Sequence, residues 1–187
     1  QIASQLPSQN YKTVLAVGRL RSEKGFDLLL EAWQLLSSNY PDWTLRIVGS
    51  GEQKQALKQQ ATQLGIEKSV DWVAATPEIA PYYAQASVYC LSSRFEGFGM
   101  VLIEAMSFGI PCVSFDCNYG PADIIKDNED GFLVENGNEK ELAEKLQLLM
   151  KDETLRQEMG EKARVNVERF LPENVVKKWD ELFKSLA

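Results

Sequence analysis

The chain contains no histidine among its 187 residues. That excludes a catalytic triad built on histidine, and a histidine general base, from anything these residues do alone. Cysteine is nearly absent as well. Cys90, Cys112 and Cys117 form an odd set without zinc-ligand spacing, and two of them sit in apolar, strand-like runs. Reduced thiols in a cytoplasmic protein are the expectation, with no metal and no cofactor. No apolar run approaches the roughly 20 residues of a membrane span. The first residues, "QIASQLPSQNYK", lack the charged-then-apolar layout of a signal peptide. They read as a linker over residues 1 to 11 that follows a further domain. A basic stripe is also missing: 27 acidic residues face 20 basic ones, a net charge of −7. Nucleic acid is therefore not an expected partner. Most of the excess lies in residues 123 to 187, with 16 acidic and 11 basic residues mixed at helical spacing, the pattern of solvated helix surfaces.

What is present is a core. Hydrophobic residues make up 44% of the chain and charged ones 25%, which suits one globular domain. "TVLAVG" (13–18), "WTLRIVG" (43–49), "SVDWVA" (69–74), "SVYCLS" (87–92), "PCVSF" (111–115) and "GFLVE" (131–135) read as short buried strands. Helical patterns fall between them: Leu29, Ala32, Trp33 and Leu36 share one face, residues 52–65 form another helix, and residues 99–108 a third. Beyond residue 135 the pattern is helical only, one helix marked by Leu142, Leu146 and Leu149 and the last by Trp179, Leu182, Phe183 and Leu186. Alternating strands and helices predict an α/β fold, a Rossmann-like doubly wound parallel sheet with extra C-terminal helices. Ligands of such sheets bind beyond the carboxyl ends of the strands.

Three post-strand segments carry candidate chemistry. After the first strand, Gly18 is placed to let the chain turn, with Arg19 following and Lys24 just before a helix start. An arginine fork, a lysine point charge and free helix amides suit a diphosphate. Two exposed cations on a loop that also holds Glu23 would look the same. The segment is neither a Walker loop nor a G-x-G-x-x-G fingerprint. Gly49-Ser50-Gly51 fits a close backbone approach to a ligand and a tight turn equally well. In "SRFEGFGMVLIEAM" (93–106), Glu96, Gly97, Phe98 and Gly99 precede a helix that carries Glu104 within an apolar run. Eight helical residues separate carboxylates by roughly 12 Å, wider than the roughly 5–9.5 Å of a glycosidase pair. One carboxylate at each end of an extended ligand fits better. A ribose would supply the partners that Glu104 needs in apolar surroundings.

"GRLRSEKGFDLLLEAW", "LRIVGSGEQ", "LSSRFEGFGMVLIEAMSFGIPCVSF" and "DGFLVENGNEKELAEKLQLLMKD", in this order, resemble the C-terminal, donor-binding domain of retaining glycosyltransferases of family 4, the group 1 glycosyl transferases of the GT-B fold. The resemblance implies a domain over 12–170 and a terminal helix, 171–187, that packs towards an N-terminal acceptor-binding domain. It implies that Arg19 and Lys24 hold the diphosphate of a nucleotide sugar and, with Glu96 beside the transferred hexose, form the catalytic set. It further implies that Gly18, Gly97, Phe98, Gly99, Met100 and Val101 line phosphate and sugar, that Glu104 binds the ribose, and that Val73 and Ala74, in a loop running to Thr76, meet the base. The acceptor would be a glycan or a lipid-linked glycan, reached in the cytoplasm or at the inner face of the membrane. "CNYGPADII", with Pro121 and Asp123, departs from the glycine pair and glutamate of many relatives and resembles bacterial galactosyl or N-acetylgalactosaminyl transferases of surface-glycan assembly. An isomerase or epimerase of related fold acting on nucleotide sugars, or a non-catalytic nucleotide-binding domain, are the competing readings.

Overall fold

A computed structural model describes residues 11–186. The expected linker falls outside these residues except for Tyr11, whose carbonyl accepts a hydrogen bond from Ser87. Six parallel strands form one sheet: β1 (Thr13–Val17), β2 (Thr44–Val48), β3 (Val70–Val73), β4 (Val88–Leu91), β5 (Cys112–Asp116) and β6 (Gly131–Glu135), in the order β3-β2-β1-β4-β5-β6. The eight helices among the described residues are α1 (Phe26–Ser37), α2 (Lys54–Gln63), α3 (Ala80–Ala84), α4 (Met100–Ser107), α5 (Pro121–Ile124), α6 (Glu139–Lys151), α7 (Glu153–Val167) and α8 (Pro172–Ser185).

The strands read as unbroken apolar runs because both faces of the sheet are covered. Val14 and Ala16 of β1 and Val88 and Cys90 of β4 enter one core with α1, α2 and α6. Leu15, Tyr89 and Leu91 point the other way, into a second core with Tyr83, Leu102, Ala105 and Met106. Three cysteines, all buried, form no disulfide. The strand order reverses between β1 and β4, which pair at Val14↔Val88 and Leu15↔Tyr89. The connections leaving these two strands run to opposite sides and open a crevice at their carboxyl ends.

Two elements depart from the sequence reading. α5 is a single turn after β5, and α7 is a full helix where no separate apolar face was legible. The last helix, α8, is exposed along its length and has no buried residue. Trp179, Leu182, Phe183 and Leu186 are 46–76% exposed. No helix among the described residues is long and apolar enough to cross a membrane.

Candidate active site

The crevice between β1 and β4 is built by stitching two loops together. After β1 the chain runs through Gly18 and Arg19 into a short 3-10 turn at Ser22–Lys24, then enters α1 at Gly25, whose φ is +61°. The left-handed conformation thus falls on Gly25, while the chain bends at Gly18 as it leaves β1 without a positive φ. A Cβ on Gly25 would stand 1.9 Å from the carbonyl oxygen of Ser92 in the loop after β4, so only glycine lets the two loops touch. Ser92 Oγ donates to the carbonyl of Lys24 at 3.0 Å, and the Arg94 amide donates to the carbonyl of Glu23 at 2.9 Å. Arg94 also grips Asp27, in the first turn of α1, with two bonds of 2.7 and 2.6 Å. That hydrogen-bonded guanidinium holds the Asp27 carboxyl below the usual carboxylate range.

The stitching brings the two charged candidates into contact. Lys24 Nζ donates to Glu96 Oε1 at 2.6 Å, and Ser93 Oγ donates to the same oxygen at 2.6 Å. Glu96 is buried and Lys24 only partly exposed. Arg19, one loop position from the strand, is exposed and forms no side-chain ion pair among the described residues. The loop then turns at Gly99, with φ +94°, which caps α4 without a side chain. The Leu102 amide bonds the Gly99 carbonyl at 2.9 Å, which leaves the amides of Met100 and Val101 at the N-terminal end of the helix, where an anion is favoured. Phe98 and Met100 flank that end and are exposed.

Glu104 lies one turn into α4, on the wall of a cavity of ≈ 240 Å³ together with Gly18, Arg19, Gly49, Ser50, Ala75 and Thr76. Its Oε2 accepts a hydrogen bond of 2.8 Å from the Tyr83 hydroxyl, so the partner required in apolar surroundings is supplied within the chain. Burial, with Tyr89 and Glu104 close by, pushes the Tyr83 phenol far above its usual value. It remains a donor at neutral pH. Glu104 also borders a second cavity of ≈ 240 Å³, lined by apolar residues of α3 and α4 and by Phe170 and Leu171.

Val73 and Ala74 do not line the first cavity; Ala75 and Thr76 do. Val73 ends β3, and its carbonyl accepts from Gly49 at 2.9 Å, so the chain travels two further residues before it reaches the crevice. Neither Gly49, in the cavity wall, nor Gly51 has a positive φ. A Cβ on either would meet the carbonyl of Gly18 or Leu20 at 1.9 or 2.4 Å, so they hold the β1 loop against the β2 loop. Of the two glutamates, Glu96 meets Lys24 before the helix and Glu104 lies in the cavity wall.

Several participants were not singled out in the sequence: Ser93, Arg94, Asp27, Tyr83 and Cys117. Cys117, in the loop after β5, lies against Glu96, and burial together with that charge raises its thiol pKa. Gly120 of the same loop packs on the Phe98 carbonyl. No group of three or more potential metal-binding side chains occurs among the described residues.

The sequence model of the glycosyl transferases group 1 matches residues 1–166. An uncharacterized glycosyltransferase of Haemophilus influenzae is 43% identical over 176 residues, covering 94% of this chain and 50% of that protein. The amylovoran biosynthesis glycosyltransferase AmsD of Erwinia amylovora is 38% identical, covering 90% of this chain and 47% of that protein. This chain thus spans about half the length of these relatives. Among solved structures, a mutant of Staphylococcus aureus TarM in complex with Fondaparinux, alpha-GlcNAc-glycerol and UDP superposes with a TM-score of 0.89 at 30% identity, over 98% of this chain and 37% of that one. With a family model matched over most of its length and a six-stranded parallel sheet that superposes on TarM, this chain belongs to the group 1 glycosyl transferases of the GT-B fold.

Proposed function

We propose that these residues form the donor-binding half of a retaining hexosyltransferase that uses a nucleoside diphosphate sugar, with UDP as the carrier. The observation that carries this reading is the convergence of Arg19, Lys24, Glu96 and the α4 N-terminus on one crevice, beside a cavity walled by Glu104. Nucleotide and ribose occupy the cavity, the ribose on the Glu104 oxygen that Tyr83 does not use. The diphosphate lies between Arg19, Lys24 and the α4 amides, and the hexose reaches Glu96. As the glycosidic bond breaks, negative charge develops on the leaving diphosphate. Two cations and fixed amide dipoles stabilise that charge without reorganising, which is electrostatic catalysis. TarM, crystallised with UDP and alpha-GlcNAc-glycerol, supports UDP as carrier and an α product, which from an α-linked donor means retention. The acceptor, a glycan or lipid-linked glycan, belongs to the other half of the protein, towards which α8 packs.

Calorimetric titration with UDP, GDP and ADP tests the reading. UDP is expected to bind with a Kd of about 10 μM to 1 mM, on the order of 4–7 kcal/mol, and Arg19→Ala to weaken it about tenfold or more while leaving uridine unaffected. Absence of binding by all three nucleotides at millimolar concentration overturns the site.

A further inference from the structure

The two cations of the crevice are not equivalent. Arg19 stands open to an incoming anion, whereas Lys24 is already bonded to Glu96 at 2.6 Å. Glu96 is 7% exposed, and a carboxylate so buried is costly to leave without its countercharge. Ser93 alone does not replace that charge, since its hydroxyl is neutral and binds the same Oε1. A diphosphate can take Lys24 only in competition with Glu96. With Glu96 in place the crevice offers the diphosphate one cation that is already paired and one, Arg19, that forms no ion pair among the described residues.

A donor that brings a sugar changes the contest, because its hydroxyls can hydrogen-bond to Glu96 as the phosphate takes Lys24. A nucleoside diphosphate without sugar offers Glu96 nothing. We propose that Glu96 discriminates donor from spent product: it yields Lys24 when sugar hydroxyls replace the ammonium, and reclaims it once the sugar has left, which loosens the nucleoside diphosphate. Glu96 thereby has a second task, product release, beside its place at the reacting sugar. The inference rests on the donor-site reading above.

Removing the Glu96 charge should act opposite in sign to the usual loss of a site residue. Glu96→Gln frees Lys24 at nearly constant shape, and UDP should bind roughly five- to thirtyfold tighter, the range of one charge-assisted bond partly screened by solvent. UDP-glucose, UDP-galactose and UDP-N-acetylglucosamine should gain less or bind more weakly, since their contact to the carboxylate is lost. The preference for sugar nucleotide over UDP therefore falls, a ratio that a merely structural role would not move. Glu96→Asp, which keeps the charge but retracts it by one methylene, should repeat the UDP gain at smaller size. In a Lys24→Met background the gain should vanish, which separates release of Lys24 from simple removal of a repelling charge. Calorimetry on the chain and these variants, with thermal melts to verify folding, reads all of this. Wild-type binding with no UDP gain in either Glu96 variant overturns the inference and leaves the donor site standing, as does an equal gain without Lys24. A wild-type chain that binds no nucleotide overturns both.

Discussion

Tyr83 shows how one buried hydroxyl can orient a binding group. It stacks on Phe108 with ring centroids 5.4 Å apart, is almost fully buried, and spends its proton on Glu104 Oε2. Glu104 stands between two cavities of equal size, and this bond fixes which oxygen remains available to the cavity that also contains Arg19. Tyr83→Phe keeps the ring and removes only the donor. UDP affinity should fall roughly three- to tenfold, less than the full worth of a charge-assisted hydrogen bond because the freed carboxylate oxygen can be rehydrated. A 2′,3′-dideoxy analogue of UDP, which has no hydroxyls for Glu104, should lose little. Parallel titrations of the two ligands against both proteins decide it, and equal losses would show that Tyr83 acts on folding alone. Nothing in "APYYAQA" distinguishes Tyr83 from Tyr82; only the helix phase and the partner 21 residues away do so. Ser93 escaped attention for the same reason. A serine acquires a role only through what folding sets beside it, whereas Glu96 and Glu104 are conspicuous as carboxylates at the edge of an apolar run.

Among the elements, the β1 and β4 loops depend on each other, and the Asp27–Arg94 pair is the charged part of that dependence. The pair is about one-third exposed on each side, so its contribution to stability is modest at neutral pH. Its pH dependence is nevertheless signed. The Asp27 pKa is depressed below 3.8 in the folded chain, so the folded state prefers the ionised carboxylate. The stabilisation is fully present above the unfolded value and is lost as pH falls through the lower folded value. The difference in melting temperature between the wild type and Asp27→Asn should therefore be constant from about pH 7 to 5 and shrink between about pH 4 and 2. A difference that grows with acidity would contradict the assignment. These loops were the least legible part of the fold. The strands could be read as short apolar runs, and α1, α6 and α8 because each carries an apolar face with a regular period. α7 could not: two of its buried positions are Arg156 and Gly160. Arg156 turns inward to bond the Leu149 carbonyl at 2.6 Å, closing the end of α6. Gly160 lies where a Cβ would stand 2.2 Å from the Gly109 carbonyl after α4. Both are packing decisions made by distant segments, invisible to local periodicity. The single turn α5 is too short to show a period at all.

For the molecule as a whole, α8 stands apart from the body that carries the site. The root of the helix is well tied: Arg169 donates to the carbonyls of Asp123 and Ile124 at 2.6 and 2.8 Å, and Asn166 links it to the buried Asp130. Phe170 meets Phe98 edge-on at 5.9 Å, so the root also braces the loop that carries Glu96. Past Leu171 these ties end. Trp179 and Phe183 stack on each other with ring centroids 5.8 Å apart, and both face solvent. An amphipathic helix with that face uncovered contributes little to the fold beneath it and invites association through its apolar stripe. A chain ending at Leu171 should therefore melt within about 3 °C of the longer one, since almost no buried area is lost, and bind UDP within about twofold. It should also remain monomeric at concentrations where the longer chain self-associates. Ending the chain at Val167 instead removes Arg169 and Phe170 and should lower both stability and UDP affinity, because the brace on Phe98 goes with them. Melting curves, light scattering and titration of the two truncations measure each part. If loss of residues 172 to 187 lowers the melting temperature as much as loss of 168 to 187, α8 belongs to the core of this domain, and its apolar face is not open to a partner.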